Sequence, residues 1–282
     1  MNKEWIIPSL IVAIFLVTLV VTVLYQRKLI RQIRTLAQQA DESHKQILKE
    51  QERNRQLKQE MTNNIAHELK TPVSSIRGYL EILLSDKPID EEKKRYFLDR
   101  CYGQTLRLSD LINDVSIINK LEESADLFPK EPIDVNAIAQ EAIHELEDMA
   151  KDHHISIKNQ LPASMPFSGN HSLVYAIFRN LVENALMYAG DGVDVVLESY
   201  KTSDERYYIH FYDTGKGVGN EYLAKIFDRF LRIEEGRSRK SGGTGLGLSI
   251  VKHAVLFHHG DIYAKNRDEG GLEFFFSLKK QS

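Results

Sequence analysis

The chain has 282 residues, with 37 Lys and Arg against 40 Asp and Glu, and a net charge of -3 speaks against a nucleic-acid binder. Hydrophobic residues make up 42% and charged residues 27%, enough apolar material for about two cores in a mostly water-soluble chain, which excludes a polytopic transporter. The single cysteine, Cys101, rules out an intramolecular disulfide and fits a reducing compartment.

No charge occurs between Glu4 and Arg27, and the stretch Ile6 to Leu24 is rich in Ile, Val and Leu. About 20 such residues rise roughly 30 Å as a helix, the thickness of a bilayer's hydrocarbon core. Trp5 and Tyr25 stand where interfacial aromatics belong, and Arg27, Lys28, Arg31 and Arg34 follow on one side. The expectation is a single-pass anchor through residues 5–25 with the bulk of the protein in the cytoplasm. A cleaved signal peptide is disfavoured, because the run is long and no small-x-small site follows it. Four residues outside leave no room for an external sensor domain.

From Leu29 a polar helix carries Leu29, Ile33, Leu36, Ala40, Ser43, Ile47, Glu50, Asn54, Leu57 and Met61 at spacings of four and three, a heptad seam. Ser43, Glu50 and Asn54 weaken it, so residues 26–56 read as a coiled-coil or spacer linker. Met61, Ile65, Leu69, Val73, Ile76, Leu80 and Leu83 continue one apolar face. The stretch Ser85 to Glu92 breaks the pattern, and a second amphipathic helix runs from about Glu92 to Leu121. Two long helices and a short loop make a hairpin over 57–125 that cannot cover its apolar faces alone. Two copies are expected to pair as a dimeric four-helix bundle.

His67 lies two positions from both Ile65 and Leu69, about 200° from the apolar stripe, and so faces water. Glu68 is its neighbour, Thr71 lies one turn on, and Pro72 removes the next backbone donor. An exposed imidazole beside a carboxylate can act as a nucleophile toward a group that a second domain brings. Taken alone, the feature reads more readily as a commonplace surface histidine beside a glutamate. The run His67-Glu68-Leu69-Lys70-Thr71 is not the zinc motif HExxH, because Thr71 stands where the second ligand belongs.

After a linker reaching to about Pro132, residues 130–282 mix strand and helix signals as one α+β domain. Strands are expected at Ile155–Leu161, Val193–Tyr200, Arg206–Tyr212, Asp261–Asn266 and Leu272–Leu278, and helices near Val135–Lys151, Ser172–Met187 and Gly247–Phe257. One glycine cluster, Asp213 to Gly219, ends a strand, and another, Gly242 to Val251, opens a helix, where backbone can approach an anion. Neither has the Walker lysine or the Rossmann spacing. Asn180 and Asn184 share a helix face, and amide oxygens at that spacing can ligate Mg²⁺ together with phosphate oxygens.

In this order the stretches around His67, Asn180–Asn184, Asp213–Gly219 and Gly242–Val251, with Ile226–Ile233 between the last two, resemble the H, N, G1, G2 and F boxes of bacterial sensor histidine kinases. The resemblance spans about four-fifths of the chain. It implies a dimeric helical hairpin bearing the phospho-accepting histidine, followed by an ATP-binding α/β sandwich of Bergerat type, anchored in the bacterial cytoplasmic (inner) membrane. By position, His67 accepts the γ-phosphoryl group of ATP, Glu68 orients and deprotonates it, and Glu68 with Thr71 matches a phosphatase pattern. Asn180 and Asn184 hold Mg²⁺ and phosphates, Tyr188 is the pocket aromatic, and Asp213 bonds the adenine amino group. Gly215, Gly217, Gly243, Thr244, Gly245, Leu246 and Gly247 form the pocket floor and the hinges of a lid, which Phe227 and Phe230 pack against the hairpin. The partner implied is the receiver domain of a response regulator.

The chain departs from the family pattern in two places. Ala185, Leu186 and Met187 precede Tyr188 where a basic residue is usual, and Arg232, Arg237, Arg239 or Lys240 in the lid could supply the cation for the phosphates. Leu272 replaces a usual Thr in the last glycine box. Related Bergerat ATPases carry a Glu where this chain has Asn180, which fits transfer over hydrolysis. Two rival readings stand beside the kinase: a pseudokinase scaffold, supported by Met187, and a conformational ATPase, which lacks its Glu.

Overall fold

The computed structural model describes residues 6–85, 88–123, 127–233 and 243–280, and leaves aside the side chains of residues 6–15, 17, 33, 36, 37, 40, 54, 57, 122 and 202. Trp5, Gly242 and the lid residues Arg237, Arg239 and Lys240 therefore lie outside the described residues. The chain divides into two compact units, Met1–Asn63 and Asn64–Ser282. The first is the N-terminal part of helix α1 (Ile6–Leu83), with Leu16, Leu19, Val20, Val21 and Leu24 exposed on it. Among the described residues, no helix is long and apolar enough to cross a membrane.

The second unit begins with the rest of α1, which passes through Pro72, and with α2 (Glu91–Glu123). The antiparallel hairpin is held by side chains such as Tyr79, stacked on Phe97 at 5.7 Å. Val73, Leu80, Leu98, Leu106 and Ile112 remain exposed on it, as an unpaired hairpin requires. Toward the end of α2, Ile118 is fully buried, and Ile117 and Leu121 pack against the core of the following domain.

That domain is a two-layer sandwich. Its five-stranded sheet has the order β2 (Ser156–Gln160), β4 (Asp194–Thr202), β5 (Arg206–Asp213), β7 (Leu272–Lys279), β6 (Ile262–Asn266), antiparallel except for the β2–β4 pair. Helices α3 (Val135–Glu145), α5 (His171–Tyr188) and the helix at Gly247–Phe257 contribute to one apolar core with the inner face of the sheet. All five expected strands are present. Two more, β1 (Glu131–Asp134) and β3 (Pro166–Gly169), form a separate antiparallel pair that the sequence did not suggest, being four residues long and each containing proline.

The single helix expected over Val135–Lys151 is two, α3 and α4 (Glu147–Asp152), because Leu146 leaves helical geometry (φ -98°, ψ 3°) with its side chain buried. A four-residue turn of helix, α6 (Asn220–Leu223), follows β5, and the helix at Gly247–Phe257 is therefore α7. Side-chain oxygens cap two of the long helices. Asp134 accepts from the N–H groups of Asn136 and Ala137 at the start of α3, and Asn170 from that of Leu173 at the start of α5. Helix α7 has no such cap.

Candidate functional site

Along β5 the burial alternates strictly, so Asp213 falls in phase with Tyr207, Ile209 and Phe211 and points to the buried side. A carboxylate there must be hydrogen-bonded. Its Oδ1 accepts from the N–H of Gly215 at 2.8 Å and of Leu272 at 3.4 Å. Burial still pushes its pKa above the ordinary value, against the lowering effect of those backbone donors. The turn before β7 reaches close enough to do this only because Gly271, at φ 101°, has no Cβ, which would overlap the Asp213 carbonyl.

Asp213 borders a cavity of about 1040 Å³, at the upper end for small-molecule sites. Asn180, Asn184, Tyr188, Gly217, Gly243, Thr244, Gly245 and Gly247 also line it, so the sequence's candidates from three separate segments meet in one place. Of the candidates for the nucleotide itself, two do not line it. Gly215 serves the site through its N–H on Asp213, and Leu246 is fully buried in the sandwich. Asn180 donates from Nδ2 to the carbonyl of Ala176, and its Oδ1 lies 2.5 Å from where a Cβ on Gly247 would stand. Phe227 was expected against the hairpin. It lies edge-on to Phe274, 6.2 Å away, within the sandwich, while Phe230 takes a positive φ of 60° and donates its N–H to the carbonyl of Gly245.

The remaining wall comes from the hairpin, through Gly103, Arg107, Asp110 and Asp114 of α2. Thr244 donates its hydroxyl to Asp114 at 2.9 Å. Burial pushes the Asp114 carboxyl up to about 6, while the Thr244 bond works the other way. Glu68 is gripped by Arg107 at 3.5 Å and by Arg232 at 3.2 Å. His67 is exposed beside it, and the Thr71 hydroxyl donates to the His67 carbonyl at 3.3 Å. Sequence reading missed Arg107 and Asp114. Their partners lie 39 and 130 residues away, and no local pattern signals such pairs.

Two further residues were missed at the end of β6. Asn266 accepts from the Val218 N–H at 2.9 Å and donates to the Val218 carbonyl at 2.6 Å, pinning the first glycine cluster as a neighbouring strand would. Arg267 donates to the Asp213 carbonyl at 3.4 Å and lies over the Tyr212 ring.

The arrangement fits a nucleotide with Mg²⁺ on three observations. The amide side chains of Asn180 and Asn184 line the same cavity as a buried carboxylate, the N–H groups at the start of α7 have no side-chain acceptor, and Nε of Arg232 is buried without a partner. Such groups would supply hard oxygen ligands for the cation and donors for the phosphates. Among the described residues, no cluster of His, Cys, Asp or Glu forms a metal site by itself.

Two family models match the chain: the His Kinase A (phospho-acceptor) domain over residues 57–124, and the histidine kinase-, DNA gyrase B- and HSP90-like ATPase over residues 169–282. Sensor-like histidine kinase SenX3 of Mycolicibacterium smegmatis is 33% identical over 215 residues, covering 76% of this chain and 56% of SenX3. Sensor histidine kinase WalK of Bacillus subtilis is 32% identical over 231 residues, covering 81% of this chain and 38% of WalK. The chain thus spans between about a third and somewhat over half the length of these relatives. The crystal structure of histidine kinase ThkA in complex with response regulator protein TrrA shares the fold, with a TM-score of 0.61, 22% identity and coverage of 79% of this chain and 61% of that one. With the phospho-acceptor model falling on the hairpin and the ATPase model on the sandwich behind it, the chain belongs to the sensor histidine kinases.

Proposed function

We propose that the chain is an ATP-dependent autokinase that phosphorylates His67 and passes the phosphoryl group to an aspartate of a response-regulator receiver domain. The observation that carries this reading is the exposed His67, one residue from a carboxylate whose two arginine partners line the cavity where Asn180, Asn184 and Asp213 converge. Asp213 accepts from the adenine amino group and disfavours guanine, whose carbonyl would face it. Asn180 and Asn184 supply amide oxygens to Mg²⁺, which supplies charge neutralisation at the phosphates. One imidazole nitrogen of His67 forms the new N–P bond as the P–O bond to ADP breaks, and the proton on the other nitrogen is held by Glu68. Incubation with γ-labelled ATP should label the protein in an acid-labile form. His67→Ala should abolish the label while nucleotide affinity stays near wild type, and label persisting in that variant would refute the assignment.

The protein works in this reading as a homodimer, with residues 1–25 as a membrane anchor, 26–56 as a helical linker, 57–125 as the dimerisation and phosphotransfer domain and 130–282 as the catalytic domain. Support for the pairing is the row of exposed apolar residues on the hairpin, and for the anchor the uncharged run before Arg27, which would hold the chain in the cytoplasmic membrane with its catalytic part inside. The kinase also dephosphorylates its regulator, with Thr71 aiming the water. Its hydroxyl bonds only weakly at 3.3 Å to the His67 carbonyl and can be withdrawn from it. Thr71→Val should leave autophosphorylation intact and slow dephosphorylation by about tenfold, the scale of one positioning hydrogen bond. Equal loss of both activities would reduce Thr71 to a helix-stabilising role.

A further inference from the structure

The carboxylate of Glu68 is met from two directions. Nη2 of Arg107, on α2, lies 3.5 Å from Oε2, and Nη1 of Arg232, on the segment after α6, lies 3.2 Å from Oε1. All three side chains are largely withdrawn from water, at 18%, 19% and 17% exposure for Arg107, Arg232 and Glu68. Two guanidinium charges therefore share one carboxylate in a partly desolvated place. Buried charge without a full counter-charge is costly, and among the described residues the cluster is one anion short.

The other cations at the cavity do not share this deficit. Arg179 has Glu183 at 3.2 Å, Glu145 at 3.6 Å and Asp110 at 3.9 Å, and Lys216 is engaged. Among the described residues, Arg107 has no ion-pair partner but Glu68. Among the described residues, Arg232 has, besides Glu68, only the Gly243 carbonyl, and its Nε is buried without an acceptor. On the opposite wall, α5 presents the uncharged Met187 to the same cavity. Among the described residues, Arg107 is the hairpin's cation at this cavity, and it meets Arg232 of the sandwich across Glu68.

A carboxylate spanned by two guanidiniums occupies the position that two oxygens of a terminal phosphate would take, since arginine's fork recognises both anions by the same paired donors. A brace between the two hairpin helices would need only Arg107 and Glu68. The second arginine reaches in from the sandwich, and both line the cavity.

We infer that Arg107 is a phosphoryl-recognising residue of the nucleotide site: the hairpin supplies through α2 the cation that α5 lacks at Met187, and a terminal phosphate displaces Glu68 from the Arg107–Arg232 pair. Glu68 occupies the phosphate's place when the nucleotide is absent, and its release frees the carboxylate next to His67. Such a site reads the third phosphate, because ADP has no group to exchange for Glu68. This rests on the nucleotide reading of the cavity and adds a residue that the hairpin contributes.

The test is the ratio of ATP to ADP affinity of the full chain with Mg²⁺, measured by displacement of a fluorescent nucleotide. Arg107→Gln should weaken ATP by about tenfold, the scale of one charge-assisted contact, and leave ADP within about twofold, which also reports an intact pocket. Arg107→Lys should recover part of the loss, and Glu68→Gln, a weaker competitor for the arginines, should tighten ATP and not ADP. Met187→Lys placed on Arg107→Gln should restore ATP binding from the other wall. Parallel weakening of both nucleotides, or an unchanged ratio, would overturn the inference and leave Arg107 as a brace between α1 and α2. Failure of the wild type to bind either nucleotide would instead overturn the nucleotide reading, and this inference with it.

Discussion

The two walls of the cavity are built by different means. On the sandwich side the contacts run through backbone: Asp213 is held by the N–H groups of Gly215 and Leu272, and Val218 by both polar atoms of the Asn266 amide. On the hairpin side they run between side chains, from Glu68 to Arg107 and Arg232, from Asp114 to Thr244 and from Asp110 to Arg179. Backbone groups within a sheet have little freedom left to lose, whereas long charged side chains can change partners at small cost. The difference separates two tasks. The sandwich wall keeps a fixed shape for recognition, and the hairpin wall can let go.

Breaking the fixed wall should have the largest effect. Gly271→Ala forces a Cβ onto the Asp213 carbonyl at a φ of 101°, so either the turn or the end of β5 must move. A cost of about 3 kcal/mol is expected, the sum of a strained backbone and an overpacked contact. Thermal unfolding of the sandwich should shift down by several degrees, and nucleotide affinity should fall by about a hundredfold as Asp213 loses its setting. An unchanged melting temperature would show that this wall is more compliant than its hydrogen bonds indicate.

The fixed wall also has a distinct response to acid. His258, at the end of α7, is buried among Phe167, Phe257 and Asn170, and its Nε2 accepts from the Asn170 N–H at 3.1 Å. Burial pushes its pKa down to about 4 from 6.5, helped by the nearby charges of Lys130 and His259 and opposed by the Ala254 carbonyl. The unfolded chain thus takes up the proton first. The stability contributed by the neutral imidazole is complete above pH 6.5, is lost between 6.5 and 4, and falls no further below that. The full decline amounts to roughly 3 kcal/mol. Denaturant melts at pH 7 and 4.5 should show the decline, and His258→Gln should flatten it. A variant with the wild-type slope would assign the decline to other groups.

The legible and illegible parts of the sequence divide along the same line. Helix α7 begins and ends where its glycines and apolar period place it, at Gly247 and Phe257, and alternation locates all five main strands. Those signals are local, repeating every two or four residues. The glycine clusters and the pair Asn180 and Asn184 are legible for the same reason, being short stretches whose residue types already state a backbone or ligand requirement. Arg107, Asp114, Asn266 and Arg267 are not. Each is an ordinary polar residue whose meaning comes from a partner 39 to 130 positions away, or 48 and 54 for the last two. The β1–β3 pair escaped because four residues with a proline leave no room for a period, and the break at Leu146 because both flanks have helical sequences.

A milder perturbation of the fixed wall removes one charge and keeps its shape. Asp213→Asn retains an acceptor for the Gly215 N–H but presents an amide that can donate as well as accept. ATP affinity should fall by about tenfold to thirtyfold, and discrimination against GTP should narrow because the amide can turn to meet a carbonyl. Equal affinities for ATP in variant and wild type, measured by calorimetry, would remove Asp213 from the recognition of the base.

The smallest effect is expected where the hairpin wall meets the glycine loop, and its pH dependence should have the opposite sign. Asp114 accepts from Thr244, whose oxygen in turn accepts from the Leu246 N–H at 3.2 Å, so this carboxyl helps to hold the loop that opens α7. Its surroundings are Glu183 and Asp110, which favour the neutral acid, and Arg179, which favours the ion. Burial dominates and raises the pKa to about 6 from 3.8. Because the folded value lies above the unfolded one, the stabilising contribution is complete below pH 3.8 and is lost as pH rises through about 6. The loop should therefore be held more firmly at pH 5 than at pH 7.5, while the His258 region of the sandwich strengthens over the same interval. Hydrogen-exchange protection of residues 243–247, corrected for the intrinsic rate at each pH, should fall by about twofold to fivefold between the two conditions, the scale of a single partly exposed hydrogen bond. Asp114→Asn keeps an oxygen for the Thr244 hydroxyl and cannot titrate, so protection in that variant should be the same at both pH values. If the variant retained the full decline, another group would set the pH response, and the hydrogen bond from Thr244 would be only one among several contacts that hold the loop.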